Sequence, residues 1–149
     1  NRRRGADKYR CNPWGCGMTE PRKITVDEAR PFWADKSQHV MGSHPETLPS
    51  GEHFHYWASG PICGVFHPAH WPGVWMAHHG CKPEGWGIAL PYAIEGLRCF
   101  WDSVRPDAII GWTAKQNRAA VVFARRCGFI EDGVLNLKSG DIIMQSWRK

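Results

Sequence analysis

Nothing constrains this chain more than the stretch from Pro83 to Gly128. It reads Pro-Glu-Gly-Trp-Gly-Ile-Ala-Leu-Pro over residues 83–91, then an amphipathic helix, then a short apolar strand, Ala108-Ile109-Ile110-Gly111-Trp112. Asn117-Arg118-Ala119-Ala120 opens a second helix, which stops at Cys127-Gly128-Phe129. A glycine-containing turn that feeds a helix leaves backbone N–H groups unpaired at the positive end of the helix dipole, and such a corner suits a phosphate. Gly-x-Gly alone is common in loops. The strand, the Asn-started helix and the Gly-Phe stop behind it give the turn its weight.

The totals fit one globular domain with enough chain to bury a core: 149 residues, 42% hydrophobic and 22% charged. No apolar run approaches the roughly 18 residues that span a bilayer, so no membrane partner is expected. The N-terminus is Arg-rich without a following apolar segment, which predicts no secretory leader. A net charge of +5 is mild. Arg2-Arg3-Arg4 supplies part of it as a solvated tail, and a basic surface that attracts a polyanionic cofactor is a more economical reading than a nucleic-acid partner. The cysteines at 11, 16, 63, 81, 99 and 127 form no C-x-x-C pair, and Cys99 and Cys127 fall on predicted helices among apolar neighbours. That usage points to buried thiols in a reducing, cytoplasmic compartment.

Residues 1–24 read as an irregular arm, rich in turn formers (Gly5, Asn12-Pro13, Gly15, Gly17) and anchored by Tyr9 and Trp14; residues 25–149 read as a single domain. Thr25-Val26-Asp27-Glu28 is a capping box that predicts a helix through about Lys36, with Ala29, Phe32 and Trp33 on one face. Residues 39–51 are loop-like. From Glu52 the period becomes two: strands over 53–58 and 62–67 flank a Ser59-Gly60-Pro61 turn, and Val74 to Cys81 is a third strand. Leu90, Ile94, Leu97 and Trp101 make a helical stripe that covers a sheet face, with Pro91 in the first turn, where its missing N–H costs little. A strand over 108–113 and a helix over 118–127 precede a closing hairpin, 129–137 and 141–147, around Lys138-Ser139-Gly140. The fold class is α/β: a mixed, mostly antiparallel central sheet flanked by helices, with the glycine turn at the C-terminal end of the third strand.

This order, over roughly residues 25–149, resembles the GNAT superfamily of acetyl-CoA-dependent N-acetyltransferases. The segment Asn117 to Phe129, followed by Glu131-Asp132-Gly133, looks like the family's Asn-x-x-Ala…Gly-Phe block. The compact form with its Pro-Glu-x-Trp-Gly turn also looks like small phage- or prophage-borne members. The family's pyrophosphate loop is Arg/Gln-x-x-Gly-x-Gly/Ala, and two registers fit: Lys82 to Gly87, or Trp86 to Pro91. The second is preferred because it sets Pro91 in the first helical turn. In either register the amides of Gly85, Trp86, Gly87, Ile88 and Ala89 are the phosphate candidates. The resemblance further implies that the third strand splays from the strand after the first long helix. The pantetheine arm would lie between them, with backbone contacts from about His79 through Cys81 and Lys82, and with Asn117 nearby.

The implied chemistry is direct attack of a primary amine, on a small molecule or a peptide, on the thioester of acetyl-CoA. A base must first remove a proton from the ammonium, and a backbone N–H on the splayed strand can hold the oxyanion. His78 and His79 lie on that strand, and neighbouring strand residues face opposite sides, so at most one serves as the base. Both also read as ordinary half-buried strand histidines. Glu84 is a turn residue favourable at a helix start. The family often places a tyrosine seven residues after the asparagine to reprotonate the thiolate; here that position is Ala124. The acceptor would be shaped by 26–36 and 39–51, where Glu46 and Glu52 read as solvated carboxylates.

Two rivals stand beside this reading. A zinc site from His53-x-His55 and His67-x-x-His70 matches no compact zinc signature, and no metal is expected. A non-catalytic protein that keeps the fold, for example a structural or binding component of a virus particle, is compatible with Ala124 and with tryptophans in predicted loops (Trp14, Trp71, Trp86). An exposed edge at the C-terminal hairpin would suit a homodimer.

Overall fold

A computed structural model describes residues 20–39 and 43–149. The arm with Arg2–Arg4, Tyr9, Cys11, Trp14 and Cys16, and residues 40–42 of the predicted loop, lie outside the described residues. A seven-stranded mixed sheet carries the fold, in the order β1-β2-β3-β4-β5-β7-β6. The strands are β1 (Arg22–Ile24), β2 (His55–Ser59), β3 (Ile62–Pro68), β4 (Val74–Cys81), β5 (Ala108–Ala114), β6 (Ile130–Leu135) and β7 (Ile142–Trp147). Every neighbouring pair is antiparallel except β4 and β5.

The sheet begins earlier than the sequence suggests. Arg22–Ile24, read with the arm, pairs with Ala58–Tyr56 and supplies an edge strand. Three residues are too few to show a period of two. The first helix is also shorter. Its capping box forms as expected, with Thr25 Oγ1 accepting from the Glu28 amide and Glu28 Oε2 accepting from the Thr25 amide. The α-helix α1 (Val26–Ala29) then tightens into a 3₁₀ turn, Arg30–Trp33, because Pro31 has no N–H to return to the carbonyl of Asp27. The expected face survives the change: Ala29, Phe32 and Trp33 are all buried.

Two helices cover the other side of the sheet. In α2 (Ala89–Val104) Leu97 and Trp101 are buried, while Phe100, outside the predicted stripe, is the most enclosed and stacks on Phe66 at 3.9 Å. Pro91 stands third in the helix. The helix α3 (Arg118–Cys127) is capped by Asn117, whose Oδ1 accepts from the Ala120 amide, and stops at Gly128 in the left-handed region. The Trp147 indole N–H donates to the Cys127 carbonyl and fixes the end of α3 on β7. Among the described residues no helix is long and apolar enough to cross a membrane.

One apolar cluster, Ile24, Ala29, Phe32, Trp33, Tyr56, Cys63 and Val65 among its members, packs under α1. A second, with Phe66, Leu97, Phe100, Ile109 and Trp147, packs under α2 and α3. The two faces of the sheet are thereby assigned. Along β4, His78 and Gly80 face the α1 side, whereas Ala77, His79 and Cys81 face the side of α2 and α3.

Candidate functional site

The site is built by a sheet that comes apart. β4 and β5 pair in parallel over three positions, Val74–Met76 with Ala108–Ile110, and then separate. β4 goes on to Cys81 on the ladder of β3, and β5 goes on to Ala114 on the ladder of β7. A wedge therefore opens between them, and the central part of the fold has two strand edges with no sheet partner.

The parity of β4 shows what lines that wedge. The Lys82 amide donates to the Pro61 carbonyl across the β3 ladder, while the Cys81 amide turns away from β3 and donates to Gln38 Oε1 at 2.9 Å. In an antiparallel pair successive residues alternate between bonding their neighbour and facing away. His79, two residues before Cys81, therefore presents its own N–H and C=O to the gap. The amide of Cys81 is already engaged by Gln38, a residue of the 3₁₀ turn Lys36–His39.

At the open end of the wedge the chain makes a 3₁₀ turn, Pro83–Gly85, and enters α2 with Ile88 as its N-cap, which offers no side-chain cap. The amides of Gly85, Trp86 and Ile88 are satisfied by the carbonyls of Lys82, Pro83 and Gly85. Those of Gly87, Ala89 and Leu90 take no backbone partner among the described residues, and Pro91 has none to place. Three donors thus stand free at the positive end of a sixteen-residue helix. Gly87 takes up this shape without strain, with φ at +83° and open space where a Cβ would go. The free set falls within residues 86–91. Gly85 is buried instead, where an added Cβ would lie 2.6 Å from Pro61 and 2.9 Å from the Cys81 sulfur.

Turn and wedge open into one cavity of about 920 Å³. His78, His79, Cys81, Gly85, Trp86, Gly87, Ala89 and Asn117 all line it, whereas Lys82 and Ile88 stand outside its wall. His79 packs against Phe123 of α3, with ring centres 5.4 Å apart, and burial holds its pKa below the ordinary imidazole value. Its ring is nonetheless reachable from within the cavity, since the wall that encloses it is the wall of an open cleft. His78 sits on the opposite face, with Nε2 3.4 Å from Nε2 of His67 on β3. Burial first, then the positive charges of His67 and His79, lower the pKa of His78.

Sequence reasoning missed three residues here. His67 and Gln38 act through partners far along the chain, and only the β3–β4 register and the fold-back of residues 36–39 bring them in. Gln145 is the third: buried on the cavity wall, it accepts from Thr113 Oγ1 and keeps an Nε2 with no protein partner. Ala124 lines the cavity where a tyrosine was looked for, and among the described residues the one tyrosine on the wall is Tyr92 of α2. Among the described residues no three histidine, cysteine or acidic side chains converge as a metal set.

A mixed sheet splayed between β4 and β5, with free amides at the head of the helix behind the splay, is the arrangement to set beside solved structures, and they show its fold. It has the fold of the GNAT acetyltransferases. It is similar to a spermidine N-acetyltransferase SpeG chimera from Vibrio cholerae and hSSAT, with TM-score 0.69, 13% identity, 87% of this chain and 93% of that chain covered. It is similar to aminoglycoside acetyltransferase AAC(6')-Ib in complex with coenzyme A, with TM-score 0.68, 11% identity and coverage of 89% and 95%. A GNAT-family acetyltransferase from Bacillus anthracis gives 0.64, 14%, 89% and 96%. No protein-family model matches the sequence, and no curated protein matches it.

Proposed function

We propose that the protein is an acetyl-CoA-dependent N-acetyltransferase acting on a primary amine by direct attack. The observation that carries this reading is the pairing of the β4–β5 wedge with three unpaired amides, those of Gly87, Ala89 and Leu90, at its open end. A diphosphate suits the amides and the dipole behind them, and an extended amide-bearing arm suits strand edges that have lost their sheet partner. Trp86, Ile88 and Lys82 flank the diphosphate. The pantetheine lies along β4 from His79 to Cys81, with Asn117 across the cleft.

The roles then divide by face. His79 contributes its backbone N–H, directed into the wedge, to the carbonyl oxygen on which negative charge develops. His78, on the α1 side with Gln38 and Ser37, takes the proton from the acceptor ammonium. The amine nitrogen bonds to the acetyl carbon and the carbon–sulfur bond breaks; the nitrogen gives up its second proton to solvent, and the thiolate takes one from solvent, since Ala124 has none to give.

One observation favours the non-catalytic reading, in which the fold serves as a binding or structural component: position 124 lacks a proton donor. Calorimetric titration with acetyl-CoA separates the two. The transferase reading predicts micromolar binding, lost in Gly87→Asp and largely kept in Gly87→Asn. Both side chains tolerate the left-handed backbone, so the pair isolates a carboxylate set against phosphate. No heat at millimolar acetyl-CoA would leave only the binding or structural reading.

A further inference from the structure

We infer that His67 and His78 form a proton relay that leads from the cavity wall to solvent, a role that rests on the transferase reading above. The two ring planes lie 11° apart, with ring centres 5.6 Å apart and Nε2 atoms 3.4 Å apart. The separation of the centres exceeds that of the nitrogens by about two ring radii, so the rings meet tip to tip, as an N–H···N hydrogen bond requires. His78 lines the cavity and His67 does not. The hydrogen bond therefore points outward.

The direction of transfer follows from a third atom. His67 Nδ1 lies 3.2 Å from the Pro68 carbonyl oxygen, which can only accept. Nδ1 thus carries a hydrogen, and His67 Nε2 carries the lone pair. The shared hydrogen belongs to His78 Nε2, and His78 Nδ1 is left as the open base of the pair. Phe54 packs on His67 at 5.4 Å and steadies the ring from the other side. Burial first, then the positive charges of His67 from β3 and His79 from its own strand, hold the His78 pKa below the ordinary imidazole value.

In the step itself an N–H bond of the acceptor ammonium breaks and His78 Nδ1 gains that proton. The Nε2–H bond of His78 breaks, and its proton bonds to His67 Nε2. His78 ends neutral with its tautomer exchanged, and His67 ends as an imidazolium held by the Pro68 carbonyl. That imidazolium, partly exposed, releases one proton to water. No electrons are gained or lost.

Two measurements test this. Nitrogen-15 NMR of the histidine rings at pH 8 in the wild-type protein should show His67 as the Nδ1–H tautomer and His78 as the Nε2–H tautomer; the reverse assignment for His67 overturns the relay. The second uses whichever of spermidine, kanamycin, tryptamine and an alanine-first peptide gives the fastest acetyl-CoA-dependent turnover. His67→Gln keeps an acceptor for the His78 N–H but cannot carry a proton onward. We expect kcat to fall about tenfold or more, with acceptor KM and acetyl-CoA affinity unchanged. The acidic limb of its pH profile should move to higher pH, because the charge that lowers the His78 pKa is gone. Wild-type kcat in His67→Gln would make His67 a positioning residue only and overturn the relay. Failure of the wild-type protein to bind acetyl-CoA, or to acetylate any of the four amines, overturns the transferase reading and the relay's role with it. A reversed tautomer with turnover intact overturns the relay alone.

Discussion

His79 shows how one residue serves through its backbone and its side chain at once. Its amide is directed into the wedge by strand parity, while its ring packs on Phe123 and keeps an exposed side toward the cavity. Burial lowers its pKa, as it does for His78 and for His55 beside Trp75 and Phe100. The unfolded chain then binds more protons than the folded one below the ordinary imidazole value of 6.5, so stability present above that pH is lost as pH falls toward the depressed values. Urea midpoints should drop between pH 7 and pH 5, and His79→Gln should flatten that slope. Equal slopes in the two proteins would mean that His79 is as easily protonated folded as unfolded. From sequence, His78 and His79 could be placed on one strand but not told apart. Only the burial of Cys63 and Val65 on one face, and of Ile62 and Phe66 on the other, shows which histidine faces α1.

Among the elements, the long ones were legible because their signals repeat. The boundaries of β4 and α3 follow from sequence to the residue, since Val74–Cys81 is bounded by Pro72-Gly73 and Lys82-Pro83, and α3 by Asn117 and Gly128. The short ones were not. β1 has three residues, and the capping box at Thr25 announces a start without saying that Pro31 will tighten the helix after one turn. That tightening sets Trp33 against β4 at Gly80, where an added Cβ would lie 2.5 Å from the indole and 2.8 Å from the Phe32 carbonyl. Gly80→Ala should therefore destabilise the fold by about 1–3 kcal/mol in urea unfolding, because neither a buried indole nor a main-chain carbonyl can easily yield. A variant as stable as the wild type would show that the α1 side is loosely seated.

At the scale of the whole molecule, the wedge joins two chemically different sides. The resemblance read from Asn117–Phe129 and the 83–91 turn anticipated the fold. The wedge itself was implied by that resemblance and by nothing in the local sequence, since strand separation is a matter of which ladders form. The side of the cavity proposed for the acceptor was the least legible part. Its wall, Trp33, Ser37, Gln38, His78 and Trp112 among it, carries no carboxylate among the described residues, and Glu46 and Glu52 are exposed away from it. Polycations are held by carboxylates. In a panel read by acetyl-CoA turnover, an aromatic or peptide monoamine should therefore give higher kcat/KM than spermidine or kanamycin; a preference for either polycation would contradict this account of the wall. The central claim, that free amides at the head of α2 receive the diphosphate of coenzyme A, is tested most directly by amide NMR during titration with coenzyme A. The N–H signals of Gly87, Ala89 and Leu90 should move downfield more than those of Gly85, Trp86 and Ile88, whose hydrogens are already bonded. Coenzyme A at millimolar concentration that leaves those three signals in place, or shifts only side chains elsewhere, would contradict it.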